Sequence, residues 1–190
     1  MRILVFDNYD SFTFNLVHII RELGYDENMD IFRNDKIGLK EVNKYDKILL
    51  SPGPGLPVDA GIMETLIQTY AKNKSILGIC LGHQGIAEVF GARLFNLPQV
   101  LHGVTKVANL FSAKDIIFKN IPGSIKVCRY HSWAVAADSI PEELEITAVD
   151  EDDIIMGLRH KNYDVRGLQF HPEAYLTEYG SELINNWLNS

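Results

Sequence analysis

The sequence predicts an α/β protein: an open, mostly parallel sheet with helices on both faces, followed by a β-rich antiparallel extension. Two observations carry this reading. Through the first half, short apolar runs alternate with stretches of helical period, which argues for parallel strands covered on both sides. In the second half, SIKVCRYHSWAV, LEITAV, DIIMGLRH and DVRGLQF follow one another across short turns, as strands of an antiparallel sheet do.

Taken in order, RILVF (2–6) is the first strand. Asp10 or Ser11 then caps a helix whose Leu16, Ile19, Ile20 and Leu23 share one face, and Gly24 stops it. MDIFRND supplies a second strand and KILLS (47–51) a third. A helix over 59–72 places Met63, Leu66, Ile67 and Tyr70 at helical spacing, SILGIC is the fourth strand, and a helix from Leu81 to Phe90 follows. A tight turn falls near Lys161 and Asn162, and LTEYGSELINNWL closes the chain as a helix.

The 190 residues are enough for one domain, 1–190, with a substantial core. No apolar run reaches the length of a membrane span, and the opening MRILVFDNYD does not read as a cleaved signal. Two cysteines are too few for a disulfide scaffold, so the expected location is a reducing compartment, the cytoplasm. The net charge of −7, without a Lys/Arg cluster, argues against nucleic acid as a partner.

The chemistry concentrates at Gly78-Ile79-Cys80-Leu81-Gly82. This is a G-x-C-x-G spacing at a strand-to-helix junction, the context in which a nucleophile is held on a sharp turn. Free N–H groups at the start of the following helix favour thiolate over thiol, and the Leu81 N–H is placed to bond an oxyanion. A buried structural cysteine needs neither glycine. Cys128, inside IKVCRY, has none and reads as a small core residue.

A thiol nucleophile needs a base and a group to orient it. Of six histidines, His171 in QFHPEAY follows an apolar strand, and Pro172 biases it to an extended backbone. Extended spacing brings Glu173 to the same side. His83 lies one helical turn after Cys80 and can face the site, and His131 can line a pocket. His18 falls on a helix face, and His102 and His160 read as surface residues. No His/Cys/Asp cluster has metal-ligand spacing, so no metal is expected. SPGPGLP (51–57) is a rigid loop after the third strand that can aim backbone N–H groups into the crevice beside Cys80.

Together Cys80, His171 and Glu173, with SPGPG, GICLGHQ and QFHPE, resemble the class I glutamine amidotransferase domain over essentially the whole chain. NYDSFTFNL, RND at 33–35 and RYHSW are similar to the glutaminase subunits that serve chorismate-aminating synthases, making anthranilate or 4-amino-4-deoxychorismate. The resemblance implies a flavodoxin-like sheet, no cofactor, L-glutamine as substrate, and a synthase subunit that receives the ammonia. It assigns Cys80 as nucleophile forming a γ-glutamyl thioester, His171 as proton carrier and Glu173 as its orienter. Gly55 and Leu81 match the oxyanion hole. Gln84, Ser132 and Trp133 match positions that hold the α-amino and α-carboxylate groups, with Gly53, Pro54 and Gly55 lining the same pocket. Trp133, Ala174 and Val104 depart from the residues common there. Tyr9 and Phe12 in NYDSFTFN are expected at the partner interface. Two other classes fit parts of the pattern: a stand-alone cysteine amidohydrolase, and a flavin-binding flavodoxin-like module.

Overall fold

A computed structural model describes residues 1–97, 103–111 and 115–190. The first strands are β1 (Ile3–Asp7), β2 (Met29–Arg33), β3 (Lys47–Leu50) and β4 (Ser75–Ile79). Between them lie α1 (Thr13–Glu22), α2 (Leu39–Val42) and α3 (Met63–Tyr70), and α4 (Leu81–Val89) follows β4. The second half holds β5 (Leu94–Asn96), β6 (Val104–Leu110), β7 (Ser124–Arg129), β8 (Trp133–Val135), β9 (Leu144–Asp150), β10 (Ile155–His160), β11 (Val165–Leu168) and α5 (Gly180–Leu188).

Among the described residues nine strands form one sheet in the order β2-β1-β3-β4-β11-β10-β9-β6-β7. The segment β2-β1-β3-β4-β11 is parallel throughout, in the 2-1-3-4-5 order of the flavodoxin-like fold. From β10 onward the pairing is antiparallel. DVRGLQF therefore belongs to the parallel part: β11 runs beside β4 and carries His171 to the same edge as Cys80.

Alternation along the parallel strands buries both faces. Ile3 and Val5 pack with Leu16, Val17, Ile20 and Trp187 on the side of α1 and α5. Leu4 and Phe6 pack with Met63, Leu66, Ile67 and Ile86 on the side of α3 and α4. No helix among the described residues is long and apolar enough to cross a membrane.

Several boundaries differ from expectation for local reasons. The residue capping α1 is Phe12, with no side-chain cap. Asp10 instead accepts the Phe12 N–H at 2.7 Å in the turn before the helix. Asp7, at the end of β1, accepts from the Thr13 hydroxyl at 2.9 Å. Gly24 does stop α1: at φ 89° its N–H reaches Arg21 O, while the Tyr25 N–H reaches Ile20 O, a Schellman close. α3 is shorter than the 59–72 pattern because Pro57–Asp59 form a 3-10 turn and Gly61 adopts φ 61° before the helix begins.

SIKVCRYHSWAV is two strands. β7 ends at Arg129, and β8 pairs with β5 in a separate two-stranded sheet. β5 and β6 have no counterpart in the sequence reading. The closing helix begins at Gly180, because Thr177 is tied to the backbone of Cys128 and His171 before the chain can wind up.

Leu66 is fully buried, whereas Val58 on the neighbouring loop is 66% exposed. Leu66→Ala should lower unfolding free energy by roughly 2–5 kcal/mol and Val58→Ala by under about 0.5 kcal/mol in urea titrations. Equal costs would contradict the assignment of the α3 face to the core.

Candidate active site

β4 ends at Ile79, α4 begins at Leu81, and the residue between them, Cys80, is left-handed with φ 50° and ψ −97°. Such a conformation costs a non-glycine residue roughly 1–3 kcal/mol and persists only where the surroundings enforce it. The flanking glycines show what enforces it. A Cβ at Gly78 would lie 2.4 Å from the Gly82 carbonyl, and one at Gly82 would lie 2.6 Å from the Leu50 carbonyl oxygen. The first turn of α4 therefore folds directly back on β4 and against β3. The elbow is fastened by Cys80 N–H to Leu168 O at 2.8 Å and Gln84 N–H to Cys80 O at 3.1 Å. As the first residue of α4, Leu81 has an N–H without an intrahelical acceptor.

His171 and Glu173 arrive from the end of β11. His171 Nδ1 meets Glu173 Oε1 at 2.6 Å, and both side chains are buried. His171 is held by its own N–H on Cys128 O at 3.1 Å and by the Thr177 hydroxyl, which donates to its carbonyl at 2.7 Å. Phe12 and Tyr130 meet its ring edge-on at centroid distances of 5.7 and 5.1 Å. Nε2 makes no hydrogen bond of ordinary geometry to the described residues. Burial alone draws the pKa of His171 down, but the nearby Cys80 sulfur and the Glu173 carboxylate outweigh it and raise it to about 10. Both partners favour the protonated ring.

A cavity of about 150 Å³ opens beside the sulfur, lined by Gly53, Pro54, Gly55, Cys80, Gln84, Tyr130, His131, Ser132 and Trp133. That is well below the roughly 300–1,000 Å³ of pockets for drug-sized ligands and suits a small polar molecule. Every residue expected in the pocket is there. Of the expected oxyanion pair, Gly55 lines the cavity and Leu81 lines an adjoining cleft. The loop carrying Gly53–Gly55 is pinned by Asn8, which donates from its backbone to Ser51 Oγ at 2.8 Å and from its side chain to Ser51 O at 2.9 Å. A Cβ at Gly53 would strike Asn8 Cβ at 2.6 Å.

Gln84 donates to the Trp133 carbonyl at 2.9 Å and to Gln169 Oε1 at 3.1 Å, and Gln169 donates to Cys80 Sγ at 3.6 Å. Gln169, Thr177 and Asn8 are absent from the sequence reading. A signal for Gln169 existed: it stands two residues before His171, on the same side of an extended chain as Glu173. Asn8 lay inside a motif read for its helix cap and its aromatics, and nothing in the sequence marks Thr177.

The remaining histidines divide clearly. His83 does not line the pocket; it is fully buried against Gly167, and desolvation pushes its pKa down to about 4. His131 does line it, with its pKa pushed down to about 3 by burial and by the Arg129 guanidinium. His160 is buried, contrary to the surface reading, and stacks on Tyr163 at 4.0 Å while accepting two backbone N–H groups. His18 is exposed beside Glu22, and His102 lies outside the described residues. Cys128 is fully buried. Phe12 is part-buried against the His171 ring, while Tyr9 is 46% exposed. Among the described residues no group of three or more His, Cys, Asp or Glu could hold a metal ion.

The titration of these rings has a definite sign. His83 and His131 have folded pKa values of about 4 and about 3, below the ordinary 6.5, so their contribution is present above pH 6.5 and lost as pH falls. At pH 5 that is roughly 2 kcal/mol for each. His171, raised to about 10, acts oppositely: its contribution is complete below pH 6.5 and is lost as pH climbs towards 10. Urea midpoints measured across pH should decline on both sides of neutrality, and a flat profile between pH 7 and 5 would contradict the burial of neutral rings. Gly82→Ala should lower the midpoint as well, through its collision with β3.

The family model for glutamine amidotransferase class-I matches residues 4–190. The chain is 43% identical over 190 residues to anthranilate synthase component 2 of Cyanophora paradoxa, covering 98% of each. It is 42% identical over 189 residues to aminodeoxychorismate synthase component 2 of Escherichia coli, covering 98% of this chain and 99% of that one. A bifunctional protein of Thermotoga maritima is 42% identical over 190 residues, covering 99% of this chain, which spans only 32% of it. The solved structure of a glutamine amidotransferase from the same organism superposes with a TM-score of 0.74 at 18% identity, over 100% of this chain and 81% of that one, a likeness of fold. By its sequence over nearly its whole length and by its sheet order, this chain belongs to the class-I glutamine amidotransferase family.

Proposed function

We propose that the chain works as one domain that hydrolyses L-glutamine to glutamate and ammonia through a cysteinyl thioester. The ammonia passes to a partner subunit that aminates chorismate, as component 2 of an anthranilate synthase. The observation that carries the reading is His171, tied to Glu173 through Nδ1 and with its Nε2 unpaired among the described residues, beside a sulfur on an enforced left-handed turn.

In this reading Cys80 Sγ attacks the side-chain amide carbon and the carbonyl oxygen becomes an oxyanion. The N–H of Leu81, unused by α4, and that of Gly55 receive it; one such donor is typically worth about 10²–10³ in rate. His171 delivers a proton to the departing ammonia, then takes one from the water that clears the thioester. Glu173 fixes the ring so that Nε2 faces the sulfur. Gln84 commits both amide N–H bonds inward, which turns its carbonyl oxygen to the α-ammonium of glutamine, while the backbone around Ser132 and Trp133 meets the α-carboxylate. Gly53 and Pro54 form the opposite wall.

The near-equal identity to the aminodeoxychorismate relative supports a second reading with the same chemistry and a different partner. Of the two aromatics expected at the interface, Tyr9 is 46% exposed and Phe12 is half-buried against the His171 ring; Tyr9, with Phe14 at 63% exposed, supplies apolar surface for either partner.

In the complex with the native synthase subunit, Cys80→Ser should lower glutamine-dependent product formation by at least about a thousand-fold. Synthesis from added ammonia should persist. Equal loss of both would point to failed assembly instead of lost chemistry. Identifying the aromatic product as anthranilate or aminodeoxychorismate decides between the two partners. Tyr9→Ala should weaken subunit association without altering Cys80 chemistry, and unchanged association would remove this loop from the interface.

A further inference from the structure

Gln169 is fully buried, a costly place for a carboxamide unless its hydrogen bonds are met. Its Nε2 donates to Cys80 Sγ at 3.6 Å and its Oε1 accepts from Gln84 at 3.1 Å. An amide can be turned either way, so its direction must be set from outside. Here the Trp133 carbonyl, which can only accept, is the group that has no choice. The guanidinium of Arg129 can only donate, and its Nε points at His131 Nε2 at 3.0 Å. His131 Nε2 must therefore accept, which leaves Nδ1 as the donor to the Trp133 carbonyl at 2.7 Å. That carbonyl can only accept, so the group Gln84 presents to it at 2.9 Å is its NH₂. The same NH₂ serves Gln169, whose carbonyl oxygen must then face Gln84 and whose NH₂ must face the sulfur. Arg129 is itself fixed by its ion pair with buried Asp150.

We propose that Gln169 is a dedicated donor to the Cys80 sulfur, stabilising its thiolate and fixing its direction, and that the Trp133 carbonyl, acting through Gln84, sets its polarity. This deepens the reading of Cys80 as the nucleophile and rests on it. A donor aimed at the sulfur favours the ionised form. Because the Gln84 carbonyl oxygen has no protein donor among the described residues, a ligand ammonium bound there would polarise the Gln84 amide and strengthen each bond towards the sulfur.

The test is the pH dependence of Cys80 alkylation by iodoacetamide in the intact chain, with the adduct located by mass spectrometry. The other titratable groups around the sulfur are His171, backed by Glu173, on the segment after β11, and Tyr130 and His131 on the 130–133 segment. All four stay in place in the variants. Gln169→Leu should move the pH of half-maximal rate upward by about one unit. Gln169→Met, of nearly the same volume and uncharged, should move it upward too and serves if the leucine variant fails to fold. Gln84→Met, which frees the Gln169 amide to turn without adding a charge, should shift it in the same direction, and the double variant with Gln169→Leu should shift no further than Gln169→Leu alone. Gln169 variants that titrate with the wild type would overturn the donor role. Additive shifts, or none from Gln84→Met, would overturn the control through Gln84. Failure of the nucleophile reading shows separately, as glutaminase activity surviving Cys80→Ser.

Discussion

The structure depends on one steric constraint, the closeness of the first turn of α4 to β3 and β4. Two glycines permit that approach, and it leaves Cys80 no backbone conformation but a left-handed one. Strain of this kind is held by the cores on either side of the sheet, whose strands bury both faces. Since β3, β4 and β11 lie side by side and parallel, their carboxyl ends deliver the 51–55 loop, the elbow and the 169–173 segment to one place. Topology supplies the proximity, and the glycines supply the aim.

Electrostatics then distinguishes among buried imidazoles. His83 and His131 lack a carboxylate partner, and burial keeps them neutral. His171 is equally buried, but the Glu173 carboxylate and the Cys80 sulfur beside it raise its pKa and favour the charged ring. A neutral wall beside a charged pair keeps the field at the sulfur attributable to His171. The same neutrality lets His131 serve as a one-way hydrogen-bond link between Arg129 and the pocket wall.

Much of this was legible in the sequence because it depends on short-range spacing. Gly78, Cys80 and Gly82 state the elbow within five residues, and strand alternation joins His171 to Glu173. What escaped depends on contacts across the fold. The break after Arg129 falls where its partner strand β6 begins, at Val104. β5 is too short to show a period and forms only by pairing with β8. The late start of α5 follows from Thr177, a residue with no local signature, bonding to β7. His160 read as surface because its loop is polar, whereas its ring is sandwiched by Phe90 and Tyr163. Gln169 was legible by the same alternation as Glu173 but has no titratable group to draw notice.

The central claim is that the sulfur of position 80, and not that of position 128, reacts with the side-chain carbonyl region of glutamine. The most direct measurement is peptide mapping after incubation with a glutamine analogue that carries a diazoketone in place of the side-chain amide. The account predicts one covalent adduct per chain, on Cys80, suppressed by excess L-glutamine. An adduct on Cys128, or labelling of Cys80 that L-glutamine does not suppress, would contradict it.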